Sequence, residues 1–385
     1  MHGSETAVLI AGIPAGDMTL FHRIRFAVGD PAAWIAWATE EGDRSHLIVR
    51  DIEMDRARKS ARADEISCPA DWTPSGGLSG DRAIATAQAT AEFLRRGGCS
   101  RVVCHRDLPL LFADCLRERG LEVECDRDLG VSDRRAKDEE EIEALRNAQE
   151  MTESAIRLAC ETIASAEAAA DGVLHRDGDV LTSERIRSIV DRHLIDRGMQ
   201  PRPTIVAGGT DGGDCHELGS GQLRTGEPVI IDCFPRDPRT LYNGDCTRTV
   251  VHGDVPDAVR DMHAAVVAAK TAAEAAVAPG RTGEEVHKAA IDVIAARGYA
   301  AGPADPSRPS DPTMPHGTGH GLGLDVHELP LLDRGGPPLV RGDALTIEPG
   351  LYAPGIGGIR VEDLVIVESD GVRRLNHLPM GLDWR

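Results

Sequence analysis

With 385 residues, 41% of them hydrophobic and 28% charged, the chain is sized for two domains rather than one core and has the balance of a soluble globular protein. A formal net charge of −20 argues against nucleic acid or an anionic membrane as partner, because the long-range field repels both. No run approaches the roughly 20 apolar residues that a membrane-spanning helix needs.

The opening MHGSETAVLIAGIPAGD holds a short apolar run without a basic leader, so it does not read as a signal peptide, and a cytoplasmic protein is expected. The first ~125 residues follow an α/β pattern. HLIVRDIE (46–53) reads as a strand, 81–96 as a helix stopped by Gly97-Gly98, and SRVVCH (100–105) as a second strand. A helix over 109–119 ends at Gly120, and LEVEC (121–125) is a third strand, which predicts a mixed or parallel sheet. Residues 1–128 are therefore expected to form an α/β accessory domain, 129–140 a charged linker, and 141–385 the chemical domain. The acidic stretch DEEEIEALRNAQ opens a long helix running to about Ala166. Two further helices are expected over 259–277 and 284–298. Their His263 and His287 read as solvated helix-face residues, and His252, after TRTVV, as exposed.

From Gly226 the pattern changes to paired short strands. EPVIID pairs with DCTRTVV, and DALTIEPG with GIRVEDLVIV; each strand carries one acidic candidate ligand. Asp232 and Asp245 lie thirteen positions apart, Glu348 and Glu362 fourteen, so each hairpin can bring two carboxylates to one end. Four converging carboxylates repel unless cations neutralise them, and two divalent ions supply the matching charge. His320, in the glycine-rich GHGLGLDVHE, offers a nitrogen ligand. Nine cysteines without a CxxC pair suggest neither a disulfide framework nor a zinc ribbon. Cys233 and Cys246 follow proposed ligands directly, and strand alternation turns their side chains to the other face.

The ordered segments KDEEEIEALRNA, GEPVIID, GDCTRT, HGTGHGLGLDVHE, TIEPGLY and GGIRVED resemble the pita-bread metallopeptidases, a superfamily that includes methionine aminopeptidase, aminopeptidase P and prolidase. The two-domain length is similar to the prolidase and aminopeptidase P branch. The match covers about residues 135–385; the first half resembles the creatinase-N-like accessory domain of that branch in length and pattern only. The implied fold class is α+β, a pita-bread (creatinase/aminopeptidase) catalytic domain preceded by a smaller α/β domain. The resemblance implies Asp232 as bidentate ligand of a first metal, Asp245 and Glu362 as bridges, and His320 and Glu348 as ligands of a second. A hydroxide between the ions would be the nucleophile. His327 would contact the scissile amide, and His216 matches the substrate-side histidine. His316 would lie beside the metals or touch substrate, and Arg360 would orient Glu362 or Asp245.

The activity so implied is hydrolysis of Xaa-Pro bonds, by a prolidase or an aminopeptidase P, with peptide as partner, Mn²⁺, Co²⁺, Zn²⁺ or Fe²⁺ as metal, and a homodimer as the family expectation. A metal-dependent hydrolase or lyase of a small non-peptide is the alternative, because CFPRDPRTLYNG is about two residues longer than the common family form and has Phe234-Pro235-Arg236 where a glycine is usual. A dead binding protein would have lost a ligand, and none is missing. Only four of the 43 basic residues are lysine; an acidic, lysine-poor surface resembles proteins adapted to high salt, where screening makes self-repulsion tolerable, though arginine codon preference gives the same ratio.

Overall fold

The computed structural model describes residues 5–305, 307–308 and 310–385. The chain divides into two compact units, Met1–Arg134 and Arg135–Arg385. None of the described helices is long and apolar enough to cross a membrane.

The first unit is built on a six-stranded mixed sheet. Its strands lie in the order Glu65–Ser67, Gly42–Ile48, Ala32–Thr39, Thr6–Gly12, Arg101–His105, Glu122–Asp126. Thr6–Gly12 pairs in parallel with Arg101–His105, which pairs in parallel with Glu122–Asp126, as helical crossovers require. On its other side it meets Ala32–Thr39 antiparallel. Both faces are covered: Leu9, Ile35 and Val102 enter one apolar cluster, Ile10, Trp34 and Leu47 the other. That is why the two central strands, Thr6–Gly12 and Ala32–Thr39, read as continuous apolar runs rather than alternating ones. The helix Arg82–Arg96 begins where Asp81 accepts from the backbone N–H of Ala83 and Ile84 at 2.9 and 3.0 Å. HLIVRDIE is a strand only as far as Ile48, since Asp51–Glu53 forms a 3₁₀ turn.

In the second unit the helix Glu139–Ala164 starts with a capping box, Asp138 accepting from Glu141 N–H and Glu141 from Asp138 N–H. Antiparallel strands Ile205–Gly208, Pro228–Cys233 and Cys246–Val251 make one sheet. A five-stranded sheet holds Glu328–Leu332, Gly319–Gly321, Ala344–Ile347, Asp363–Glu368 and Gly371–Arg374 in that order. GIRVEDLVIV, expected as a single strand, is two: Gly357–Arg360 pairs with Gly350–Ala353 in a four-stranded sheet, while Asp363–Glu368 pairs with Ala344–Ile347. Between them Glu362 N–H donates to Thr247 O at 3.1 Å, so Glu362 sits where the chain passes from one sheet to the next.

Helices Asp257–Ala276 and Gly283–Ala296 pack on the second apolar core through Ala265, Ala269, Ala290 and Ile294. Their histidines are not solvated. His287 is buried, with Nδ1 at 2.9 Å from Thr318 Oγ1, and His263 Nε2 lies 2.7 Å from Met380 O. His252 is half-buried, both ring nitrogens at 2.9 Å from Thr225 Oγ1 and Ala166 O. In each case a tertiary partner satisfies a ring that local pattern assigned to water.

Candidate metal centre

The strand register builds the first half of the site. Asp232 stands opposite Thr247 and Cys233 opposite Cys246. Asp245, Thr247 and Asp232 therefore share one face, and Cys233 and Cys246 turn away into an apolar cluster. Gln149, on the long helix, fixes Asp245 by its backbone: its Nε2 donates to Asp245 O at 2.7 Å and its Oε1 accepts from Asp245 N–H at 2.9 Å.

The second half comes from the five-stranded sheet and its edge. Gly319 lets this strand approach its neighbour, because a Cβ there would collide with the Thr346 carbonyl. His320 N–H then donates to Thr346 Oγ1 at 3.0 Å, and Glu348 N–H to Thr318 O at 2.8 Å. His320 Nε2 lies 3.3 Å from Glu348 Oε1 and 3.8 Å from Asp245 Oδ2. Asp245, His320 and Glu362 each present a donor atom within 4.8 Å of the others, and all three residues are buried.

All nine residues singled out from the sequence, namely Asp232, Asp245, His320, Glu348, Glu362, His327, His216, His316 and Arg360, line one cavity of about 460 Å³. His327 sits on its solvent side, its ring 4.4 Å from that of His320. Partial desolvation and the nearby His320 lower its pKa. His216 is exposed at the mouth. His316 is half-buried, Nε2 at 2.9 Å from Tyr352 OH, and burial lowers its pKa. Arg360 does not reach Glu362 or Asp245. Its Nη2 donates to Asp232 Oδ2 at 2.6 Å, its Nη1 to Tyr352 OH at 2.8 Å, and its Nε to Thr247 Oγ1 at 3.2 Å. Glu362 instead accepts from Thr247 Oγ1 at 2.8 Å. Tyr352 and Thr247 were not singled out; Thr247 was detectable, being two residues beyond Asp245 on the same strand face.

Burial and mutual repulsion push the carboxyls of Asp245 and Glu362 well above the usual range, and burial raises Asp232. Glu348 goes the other way: burial opposes ionisation, but the bond and charge of His320 hold its pKa down. Among the described residues, Asp232 Oδ1 is buried without a hydrogen-bond partner. Clustered carboxyls at elevated pKa, an orphaned oxygen and one imidazole suit divalent cations, which would relieve the repulsion and satisfy the free lone pairs.

Three comparisons relate the chain to known proteins. The model of metallopeptidase family M24 matches residues 143–369. The probable dipeptidase PepE of Mycobacterium tuberculosis is 38% identical over 177 residues, 46% of this chain and 44% of that one. The Xaa-Pro dipeptidase of Pyrococcus furiosus is 30% identical over 244 residues, 62% of each chain. These alignments span less than two thirds of the curated relatives' lengths. Among solved structures, the Xaa-Pro dipeptidase from Bacillus anthracis superposes with a TM-score of 0.79 at 22% identity, covering 99% of this chain and 95% of that one. Dipeptidase PepE from Mycobacterium ulcerans gives 0.74 at 25% identity, covering 99% and 93%. The chain has the pita-bread fold and belongs to metallopeptidase family M24.

Proposed function

We propose that the protein is a metal-dependent exopeptidase hydrolysing the bond before proline in short peptides. The observation that carries this reading is the single cavity where four carboxylates and His320 meet, with His327 beside them. Asp232, Asp245 and Glu362 would hold one divalent cation, and Asp245, His320, Glu348 and Glu362 another. Such cations supply Lewis acidity at a scissile carbonyl and a nucleophile at neutral pH.

The chain's own groups do the remaining work. Thr247 and Arg360 keep Glu362 and Asp232 aimed into the cavity through the bonds described above. His327, its pKa lowered, stays neutral near pH 7 and can donate an N–H to the charge that develops on the scissile carbonyl. His216 would meet the substrate at the mouth. Mn²⁺ is the proposed native ion and a cytoplasmic homodimer the proposed form, as the family resemblance supports; the acidic surface supports activity in molar salt.

The test is a panel of Xaa-Pro dipeptides and longer Xaa-Pro peptides, in low and molar salt, offered to metal-stripped protein with and without Mn²⁺. Metal-dependent release of the first residue is expected. No turnover of any proline peptide with Mn²⁺ or Co²⁺ would sink the reading.

A further inference from the structure

His327 is exposed, yet the loop that carries it is held by buried polar groups. Strand Gly319–Gly321 turns back into Glu328–Leu332 through residues 322–327, and the register puts Gly321 opposite Glu328. His327 is therefore the last loop residue before the hairpin closes, and its ring comes to rest 4.4 Å from that of His320. Where the loop sits decides where that ring sits.

Asn243 pins the first half of the loop. Fully buried and two residues before Asp245, it donates its N–H to Gly323 O at 3.0 Å and its Nδ2 to Gly323 O and Leu324 O at 2.9 and 3.0 Å. The second half, which ends in His327, is held by the residue that follows it. Glu328 turns its carboxylate back toward the loop: Oε1 accepts from Asp325 N–H at 3.0 Å, and Oε2 from Lys137 Nζ at 3.1 Å. The Lys137 and Glu328 side chains are only 3% and 5% exposed. A Cβ on Gly323 would lie 2.8 Å from Glu328 Oε2, so a larger residue there would push the carboxylate aside. Lys137 is itself anchored at the entry of the long helix. Its N–H donates to Gly342 O at 3.1 Å, and the next residue, Asp138, caps that helix.

Lys137 does not line the metal-bearing cavity. Nor does stability alone call for it, since a well-packed apolar pair often serves a core as well as a buried ion pair. What the charged pair adds is a fixed direction for the carboxylate between Lys137 and Asp325 N–H. We propose that Lys137 is a positioning residue for His327: through Glu328 it fixes the second half of the loop, so that the imidazole meets the scissile amide in one orientation. This rests on the exopeptidase reading for what His327 touches.

The test joins a kinetic and a structural readout on the full chain. Lys137→Met should lower kcat on Xaa-Pro dipeptides with Mn²⁺ by about 10–100-fold, the effect of misplacing a group by about 1 Å, with KM and retained Mn²⁺ per chain near wild type. Lys137→Arg should recover most of that loss. In a His327→Ala background Lys137→Met should cost little more, because the group it aims is gone. In metal-stripped protein, amide hydrogen exchange over 321–328 should quicken in Lys137→Met and in Glu328→Gln, but not elsewhere in the five-stranded sheet. Glu328→Gln, similar in shape and uncharged, makes the same comparisons if Lys137→Met does not fold. Unchanged exchange, or a loss as large with His327→Ala as without it, overturns the inference while the peptidase reading stands. If wild type cleaves no Xaa-Pro dipeptide, the peptidase reading fails and the inference falls with it.

Discussion

Replacing Thr247 with valine removes one hydroxyl from the centre of the proposed site and leaves its shape nearly unchanged. That hydroxyl is fully buried, donates to Glu362 Oε2 at 2.8 Å, and accepts from Arg360 Nε at 3.2 Å. Valine leaves the buried Glu362 Oε2 and Arg360 Nε both without this partner, so the cost is about 2–4 kcal/mol. For a domain of this size that corresponds to roughly 5–12 °C in Tm. Because Thr247 holds a proposed ligand rather than contacting metal itself, Mn²⁺ affinity should fall by about 10–100-fold. Thr247→Ser keeps the hydroxyl and loses only a methyl, about 1 kcal/mol, and should bind metal nearly as wild type does. Titration of Mn²⁺ against a competing chelator, beside thermal unfolding of the stripped proteins, measures both effects. Equal metal affinity in wild type, Thr247→Val and Thr247→Ser would refute the idea that this bond aims Glu362.

Three further outcomes are expected. Glu362→Gln should lose at least one tightly bound ion per chain and reduce Xaa-Pro hydrolysis by about 10³-fold; two tight ions in that variant, by elemental analysis, would contradict its proposed place between them. Lys270 is buried, with Nζ 2.6 Å from Asp363 Oδ2 and a second ion pair to Glu274. Lys270→Met should therefore destabilise the second unit by about 3–5 kcal/mol, and a urea midpoint near the wild-type value would argue against that pairing. In the first unit, His46 is buried with Nε2 2.6 Å from Ser67 Oγ, its ring 4.4 Å from Phe93, and burial lowers its pKa. The unfolded chain then takes up the proton more readily, so the His46 contribution to stability is complete above about pH 6.5 and declines as pH falls through the lower folded value. Chemical denaturation between pH 7.5 and 5 should show that slope in wild type and lose it in His46→Phe; an unchanged slope would remove His46 as its source.

The proposed ligands could be read from the sequence because each sits in a short motif, and the motifs come in a fixed order. The hairpin argument that pairs Asp232 with Asp245 needs only strand alternation, and the observed register agrees. Other features depend on tertiary contacts that no local pattern carries. Thr6–Gly12 lies in a run weighed only as a leader, and alanine-rich Ala32–Thr39 was not read as a strand at all; both stand at the middle of the first sheet. The break within GIRVEDLVIV follows from two sheets competing for one segment. His263 and His287 were misplaced because Met380 and Thr318, which hold them, are distant in sequence. The partner of Arg360 was missed for a related reason: Asp232 is remote in the chain but adjacent in the fold.

The central claim is that Asp232, Asp245, His320, Glu348 and Glu362 together hold two cations. Elemental analysis of the full chain, stripped with chelator, reloaded with Mn²⁺ and passed through a desalting column, tests it most directly. Two Mn²⁺ per chain, falling in the Asp245→Asn and His320→Ala variants, is the predicted result. No retained metal in wild type, or the same retained metal in both variants, would contradict it.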